Sequence, residues 1–227
     1  MLDLLEHTRQ RLGRLFPRTV AEITVVIHDA AASLIASNPL LGLAWATSAP
    51  ASRRYLAGWV SRDEIHVLAP SVLTKRASGV PGSAQMLALA PASLYTRRVI
   101  IECNRDLHVA RPPARIALAL RWAWLLDGGA RFFSGETAHA RGAIARRLHE
   151  GEHPPFPPRL RDATLLGGTV IDLIARESGE LAAAQFTCRL HPDGPRAALA
   201  KAFGGRATVH TEYAWRSHLA RFAGGNY

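Results

Sequence analysis

The sequence contains one literal zinc-protease string, HEGEH, at residues 149–153. In a motif of this HExxH type the two histidines stand four residues apart on one helix face, so both imidazoles reach one zinc ion. The glutamate after the first histidine, here Glu150, activates the zinc-bound water for hydrolysis. Taken alone, the string indicates a zinc site on His149 and His153.

The residues around this string favour a polar surface turn instead. Gly151 weakens a helix in the middle of the motif, and Pro154 disfavours helical geometry at His153. The flanking sequences, RRL before and PPFPPRL after, lack the apolar face that would bury such a helix in a core. Zinc on His149 and His153 is therefore the alternative interpretation, and no metal is the main expectation.

A second stretch, residues 94–135, has the layout of an active-site segment. A predicted helix carries Glu102, a Pro-Pro break follows at Pro112 and Pro113, and another predicted helix brings Asp127 beside two glycines. The order of these features is that of a zinc-protease helix pair in which one helix carries the base and the next supplies an acidic ligand. The histidines that would hold the metal are missing from it.

Three pieces of the chain resemble the peptidase MA-like gluzincins, which are bacterial zinc-metallopeptidase domains. The pieces are YLAGWVSRDEIHVLAP, the helix RRVIIECNRDLH followed by WLLDGGARFFSG, and the helical tail LLGGTVIDLIARESG…ALAKAFGG…EYAWRSHL. WLLDGGA is similar to the W-L-x-E-G-x-A segment of the family. The resemblance covers most of residues 20–222 and implies a zincin-like fold.

Carried over residue by residue, the family motif falls on IECNR at residues 101–105. Ile101 takes the place of the first histidine, Glu102 keeps that of the general base, and Arg105 takes that of the second histidine. Asp127 takes the place of the third ligand. Isoleucine has no lone pair, and arginine stays protonated and cannot ligate a metal. The resemblance thus implies a degenerate site, with Glu102 as a relic base and no bound metal.

The charges in this segment suggest what replaces the metal. Arg105 supplies positive charge close to where a zinc ion would lie, so we expect it to pair with Asp127 or Glu102 and tie the helices together. The alternative is plainer. Arg98, Glu102 and Arg105 are spaced i, i+4 and i+7, and such residues form surface ion pairs worth about 0.3–0.5 kcal/mol each.

The elements that must position these residues fall into two halves. Hydrophobic patterns predict an amphipathic helix at residues 2–16, and strands at 22–29, 41–47, 55–61 and 64–70, with a turn at 61–63. Nearly everything after Pro91 is predicted helical: 92–108, 114–133, 137–148, 169–177, 181–190, 196–203 and 208–222. The expected fold is α+β and zincin-like, in one domain over residues 1–227, with a sheet-containing part (1–90) and a helical part (91–227).

Composition narrows the function classes. The net charge is +10, but the arginines are dispersed and no nucleic-acid motif accompanies them, so nucleic acid is allowed by charge alone. No run of about 18 apolar residues predicts a membrane span, and the start of the chain lacks a signal-peptide pattern, so a cytoplasmic location is expected. Cys103 and Cys188 are interpreted as buried free thiols.

Three functions remain open on the sequence. The favoured one is a catalytically degenerate, metallopeptidase-like binding or regulatory module whose cleft near Glu102 takes a peptide or protein partner. That partner is expected to lie along an edge strand at residues 64–69. The second is an active zinc-dependent hydrolase with relocated ligands. The third is a basic module for nucleic acid or an anionic surface, whose binding would fall steeply with salt.

Overall fold

The computed structural model describes residues 1–151 and 153–224, apart from the side chains at positions 108, 109 and 112. Within these ranges the chain is mostly helical, with a small mixed sheet in its first third, so the fold is α+β. The first part contains α1 (Leu2–Leu12), β1 (Thr24–His28), α2 (Ala31–Ser37), α3 (Pro39–Thr47), α4 (Pro50–Arg53), β2 (Gly58–Val60) and β3 (Glu64–Leu68).

The second part is built from helices alone in the described ranges. These are α5 (Pro70–Arg76), α6 (Ser83–Ala88), α7 (Ala90–Cys103), α8 (Arg105–Val109), α9 (Pro112–Arg121), α10 (Ala123–Phe133), the 3-10 turn Glu136–His139, α11 (Arg141–Leu148), α12 (Leu160–Ser178), α13 (Glu180–Thr187), α14 (Pro195–Ala202) and α15 (Thr208–Gly224). The predicted helices of this half therefore exist, although several are divided differently.

The three strands form one sheet in the order β1-β3-β2. β1 runs parallel to β3, with Val26 opposite His66, and β2 runs antiparallel to β3, with Trp59 opposite His66. The tight connection between β2 and β3 is the turn predicted at residues 61–63. Because β3 is the central strand, both of its hydrogen-bonding edges are occupied. The expectation that residues 64–69 form an edge strand for a peptide is therefore wrong.

The strand predicted at residues 41–47 is also wrong, since this segment is α3. Asn38 caps the helix by accepting a hydrogen bond from the Leu40 N–H at 3.1 Å, and Pro39 occupies the first helical position. Both residues are typical helix starters. The rest of α3 is rich in leucine and alanine, which favour helix, so the local signals outweigh the strand-like alternation of its apolar residues.

Helices α10 and α12 pack with their backbones in direct contact at two glycines. A Cβ atom built on Gly128 would overlap the backbone of Gly167, and one built on Gly167 would overlap the carbonyl oxygen of Trp124. Gly128 and Gly167 thus permit the close packing of these two helices. This contact fixes the position of α10, which carries Asp127.

The buried apolar residues of both halves join in one hydrophobic core. Leu12 and Phe16 from the N-terminal part reach it, and so do Trp124, Ile171 and Trp215 from the helical part. Among the described residues, no helix combines the length and apolar character needed to cross a bilayer.

Candidate functional site

The helix that should carry the degenerate metal motif breaks inside the motif. α7 ends at Cys103, and Asn104 adopts an extended conformation, with φ −97° and ψ 93°. Arg105 starts a new short helix, α8. Ile101 and Arg105 therefore do not share a helix face, and the i, i+4 geometry that lets two side chains hold one metal ion is lost.

Asn104 holds this break by hydrogen bonds to a distant part of the chain. Its Nδ2 donates to the carbonyl of Thr187 at 2.8 Å and to that of Ile100 at 2.7 Å. Its Oδ1 accepts from the Leu190 N–H at 3.0 Å. The side chain is 2% exposed. Since buried amides are stable when paired in this way, the end of α7 is fixed by tertiary structure.

The expected ion pair of Arg105 is replaced by two others. Asp127 lies 2.9 Å from Nε of Arg97, and Glu102 accepts a hydrogen bond from Arg98 at 2.7 Å. Arg105 is exposed on α8. A positive charge therefore does balance the relic third-ligand position, but it comes from α7, one turn before Ile101. The i, i+4 pair of Arg98 and Glu102 is present, with Arg98 buried rather than on the surface.

The HEGEH string has no helical support. α11 ends at Leu148, His149 and His153 are exposed, and Gly151 has a φ of 103°. Glu152 lies outside the described residues. Across the described part of the chain, no three histidine, cysteine, aspartate or glutamate side chains group as a metal site would require. His149 and His153 on this turn do not provide the ligands of a zinc site, and neither does Ile101 with an Asp127 already held by Arg97.

A cavity of about 300 Å³ lies next to the Asp127–Arg97 pair. It is bounded by α3, β2, α7, α9 and α10, and the start of α12 contributes Leu160 and Thr164. Apolar side chains form most of its wall, among them Leu40, Leu56, Trp59, Leu94, Ile116 and Leu120. A concave apolar site with a few charged groups is the usual form of a small-ligand site.

Two buried charged residues form the closed end of this cavity. The Arg131 guanidinium is paired with the Glu136 carboxylate and donates to the Tyr55 carbonyl at 2.7 Å. Glu136 is 1% exposed, and its Oε2 has no hydrogen-bond partner. Gly135, with a φ of 85°, reverses the chain after α10 and so brings Glu136 back beside Arg131.

Burial gives this glutamate an unusual proton affinity. Loss of solvation raises the pKa of Glu136 from 4.5 to about 7, since the neighbouring Arg131 charge and a hydrogen bond from Ser93 compensate only in part and the nearby Asp127 carboxylate adds to the rise. A carboxyl group with such a pKa changes its protonation state near neutral pH. It can then either accept a hydrogen bond or donate one to a group in the cavity.

We expect Glu136→Gln to remove a pH dependence of stability. The folded-state pKa of Glu136 is raised, so its contribution is fully present below about pH 4.5 and is lost as pH rises through about 7. The free energy of unfolding of the wild type, measured with urea from about pH 4 to about pH 8, should fall relative to that of the variant. A difference between the two proteins that stays constant with pH would contradict this assignment.

The sheet carries a second polar cluster, which the sequence did not single out. Nε2 of His28 lies 3.0 Å from Nδ1 of His66, and Nε2 of His66 lies 3.1 Å from Glu64. Nδ1 of His28 lies 3.2 Å from the Ser33 hydroxyl, which itself donates to a backbone carbonyl. These contacts link Ser33, His28, His66 and Glu64 in one chain of hydrogen bonds.

His28 and His66 differ in their surroundings. Partial burial and the nearby His66 lower the pKa of His28. His66 also stacks on Trp59, with ring centroids 4.0 Å apart, and an aromatic face favours a cation. The sequence does carry a signal for this contact, because side chains two residues apart on a strand lie on the same face of the sheet. Val26 and His28 on β1 therefore lie on the face that carries His66 on β3.

The two cysteines are also brought together. Both are free and half-buried, and the Cys103 and Cys188 side chains hydrogen-bond to each other. This bond is the main cause that lowers the pKa of Cys103 and raises that of Cys188. The interpretation as free thiols agrees with the structure, but their contact was not foreseen from 85 residues of separation along the chain.

Sequence reasoning missed Arg97, Arg131 and Glu136 as site residues. The usable signal was the pair of opposite charges, Arg131 and Glu136, on either side of the helix stop at Ser134 and Gly135. That stop was predicted and is confirmed, since α10 ends at Phe133.

Comparison of the chain with protein-family models, with curated proteins and with solved structures finds no match.

Proposed function

We propose that this protein is a non-catalytic binding module of metallopeptidase-like type, whose cavity takes a ligand with an apolar body and a hydrogen-bond-donating end. The observation that carries the proposal is the unpartnered Oε2 of buried Glu136 at the closed end of an apolar cavity. A small molecule with a free amine or hydroxyl has this chemistry, and so does an apolar segment of a protein partner that carries such a group.

The proposal follows from the energetic cost of a buried Glu136 carboxylate whose Oε2 accepts no hydrogen bond. A buried carboxylate oxygen without a hydrogen bond is destabilising by about 1–3 kcal/mol, and more when it is charged. In the structure Oε2 has almost no accessible surface, so a ligand N–H or O–H recovers this energy once a small shift of the surrounding side chains opens Oε2 to the cavity. The apolar wall adds about 25 cal/mol for each Å² of apolar ligand surface that it covers. Both terms favour an amphiphilic ligand over a purely polar one.

A binding role, rather than hydrolysis, is supported by the state of the relic positions. Asp127 is neutralised by Arg97 at 2.9 Å, and Glu102 is engaged by Arg98. Among the described residues, neither carboxylate belongs to a group of side chains that could hold a metal ion and its hydroxide nucleophile. The cavity wall contains Asp127, so the place of ligand binding adjoins the relic site without needing its chemistry.

Alkyl probes of matched length test this function. At about pH 8, where Glu136 is ionised, we expect octylamine to bind at least about tenfold more tightly than octanoate, because a hydrogen bond to a charged group contributes about 1.5–3 kcal/mol. Octanol should bind with intermediate affinity. The measurement is isothermal titration calorimetry, with fluorescence of Trp59 in the cavity wall as a second readout.

Two tryptophan variants of α9 locate the binding. Ala119 lines the cavity and Ala117, on the same helix, is exposed and is not part of the wall. Ala119→Trp should fill the cavity and abolish octylamine binding, whereas Ala117→Trp should bind like the wild type. Glu136→Gln should remove the preference for the amine over the alcohol. Octylamine binding that survives Ala119→Trp, or no binding of any probe to the wild type, would overturn the proposal.

A further inference from the structure

Helix α3 is apolar on every face and yet stands on the surface. From Ala30 to Ser52 the sequence has no charged residue. Leu40 is 54% exposed, Leu43 61% and Trp45 43%. A helix that is hydrophobic all round is normally buried in a core or in a membrane. The exposed side of α3 therefore lacks the partner that its composition requires.

Helix α9, which lines the same cavity, also has exposed apolar side chains. Ile116 is 43% exposed and Leu120 51%, and both also line the cavity together with Leu40. Residues that line a cavity and are half exposed form its rim. Scattered single apolar residues need no explanation, but exposed apolar side chains on two helices that line one cavity are concentrated in one region of the surface. We call the exposed residues Leu40, Leu43, Trp45, Ile116 and Leu120 the apolar rim.

The charged residues of α9, and of the position before it, are all arginines. α9 and its start carry Arg111, Arg115 and Arg121, and the chain has no acidic residue from 107 to 126. On the other side, the Arg53 guanidinium lies 5.3 Å from the ring centre of Trp45. Since apolar side chains edged by arginines suit an anionic, partly apolar partner, the rim has a defined electrostatic preference.

We propose that the apolar rim docks on the surface of a lipid bilayer that contains anionic lipids. Leucine, isoleucine and tryptophan side chains would enter the boundary between headgroups and acyl chains, while the flanking arginines contact lipid phosphates. A protein groove covers one face of a helix and leaves a polar face outside. α3 has no charged face to leave in water, which favours immersion in a lipid interface over docking in such a groove.

Docking of the apolar rim on a bilayer does not depend on the cavity ligand, although part of the rim lines the mouth of the cavity. A cavity that opens at the apolar rim opens at the bilayer surface once the protein is docked. Amphiphilic molecules partitioned in the lipid would then enter without crossing bulk water. The rim's binding to lipid does not require that any molecule occupies the cavity.

Vesicle flotation tests the proposal. We expect the wild-type protein to float with vesicles of phosphatidylcholine and phosphatidylglycerol, and to bind vesicles of phosphatidylcholine alone at least about tenfold more weakly. Raising the salt from about 0.1 M to about 0.5 M should weaken the binding, because it screens the arginine contacts. The double variant Leu43→Ser/Trp45→Ser should lose at least about tenfold in binding to the anionic vesicles, since it removes the largest inserted surface.

The matched control is Val209→Ser/Tyr213→Ser on α15, where the replaced side chains are 66% and 74% exposed. It should bind anionic vesicles like the wild type. Ala119→Trp should also keep vesicle binding, which separates this proposal from that of the cavity ligand. Equal vesicle binding by the Leu43/Trp45 variant, or no binding by the wild type, would overturn it. So would a wild-type dimer that this variant makes monomeric without any vesicle binding, because a second copy would then cover the rim.

Discussion

Asp162→Ala is expected to lower the free energy of unfolding by about 3–5 kcal/mol, which is a large part of the stability of a typical domain. The Asp162 carboxylate accepts two hydrogen bonds from Arg147, at 2.5 Å from Nε and 3.0 Å from Nη2. Both side chains are about 1% exposed. The substitution leaves the Arg147 guanidinium charged and buried without this carboxylate, and desolvation of such a charge is costly.

Urea unfolding followed by circular dichroism measures this effect. The matched control is Glu177→Ala, which removes the carboxylate of a pair with Arg206 whose side chains are about one-third exposed. Solvent screens that pair, so its loss should cost far less than loss of the buried pair. The double variant Arg147→Met/Asp162→Leu should recover most of the stability, because it leaves no buried charge behind. A cost for Asp162→Ala as small as that of the control would contradict the assignment of this pair as buried and structural.

The sequence predicts this fold well where the signals are local. β1 and β3 are dense in β-branched residues, and their positions were predicted within two residues. The helices of the second half follow the apolar period and its glycine and proline punctuation. The prediction of a strand at 41–47 is wrong because Asn38 caps a helix here and Pro39 starts it, and these signals outweigh the alternation of apolar residues.

Helix breaks that are fixed by distant contacts could not be predicted from the local sequence. The predicted helix 92–108 is divided at Asn104 by hydrogen bonds to Thr187 and Leu190, more than 80 positions away. The predicted helix 114–133 is divided at Trp122, whose buried ring belongs to the core. In both cases the local sequence favours helix, and tertiary packing overrides it.

The site was predicted in part. The stretch 94–135 does supply α7 and α10, and Asp127 does meet an arginine that balances its charge. The arginine was misassigned because a break at Asn104 shifts Arg105 out of phase, so that Arg97 is the residue facing α10. Glu136 was missed, since its raised pKa arises from burial and from the neighbouring Arg131, Ser93 and Asp127 of α10 and α7, which only the folded chain brings around it.

Gly128→Ala is expected to lower the free energy of unfolding by about 3 kcal/mol, at the upper end for overpacking. In an open helix the same substitution stabilises by about 0.5–1 kcal/mol, because alanine loses less backbone freedom on folding than glycine. The sign is decided by what the new methyl group meets. At Gly128 it meets the Gly167 backbone, which cannot turn away as a side chain would. Helices α10 and α12 must then separate and open the core between them.

Gly42→Ala in α3 is the matched control, and thermal or urea unfolding compares the two. Its new methyl group would meet only the Cγ2 of Ile35, at 3.2 Å, and Ile35 is 36% exposed and can shift. We therefore expect Gly42→Ala to be neutral or slightly stabilising. Gly167→Ala should destabilise about as much as Gly128→Ala, since it strikes the carbonyl of Trp124.

The double variant Gly128→Ala/Gly167→Ala is the sharper test of this contact. Both methyl groups force the same separation of α10 and α12, so the second substitution should cost much less than it does alone. Additive losses would mean that each glycine relieves its own local clash and that the helices stay in place. Because α10 carries Asp127 and Arg131, a separation of α10 from α12 should also weaken octylamine binding in each single variant. Octylamine binding that remains unchanged in a strongly destabilised Gly128→Ala protein would place the strain away from the cavity.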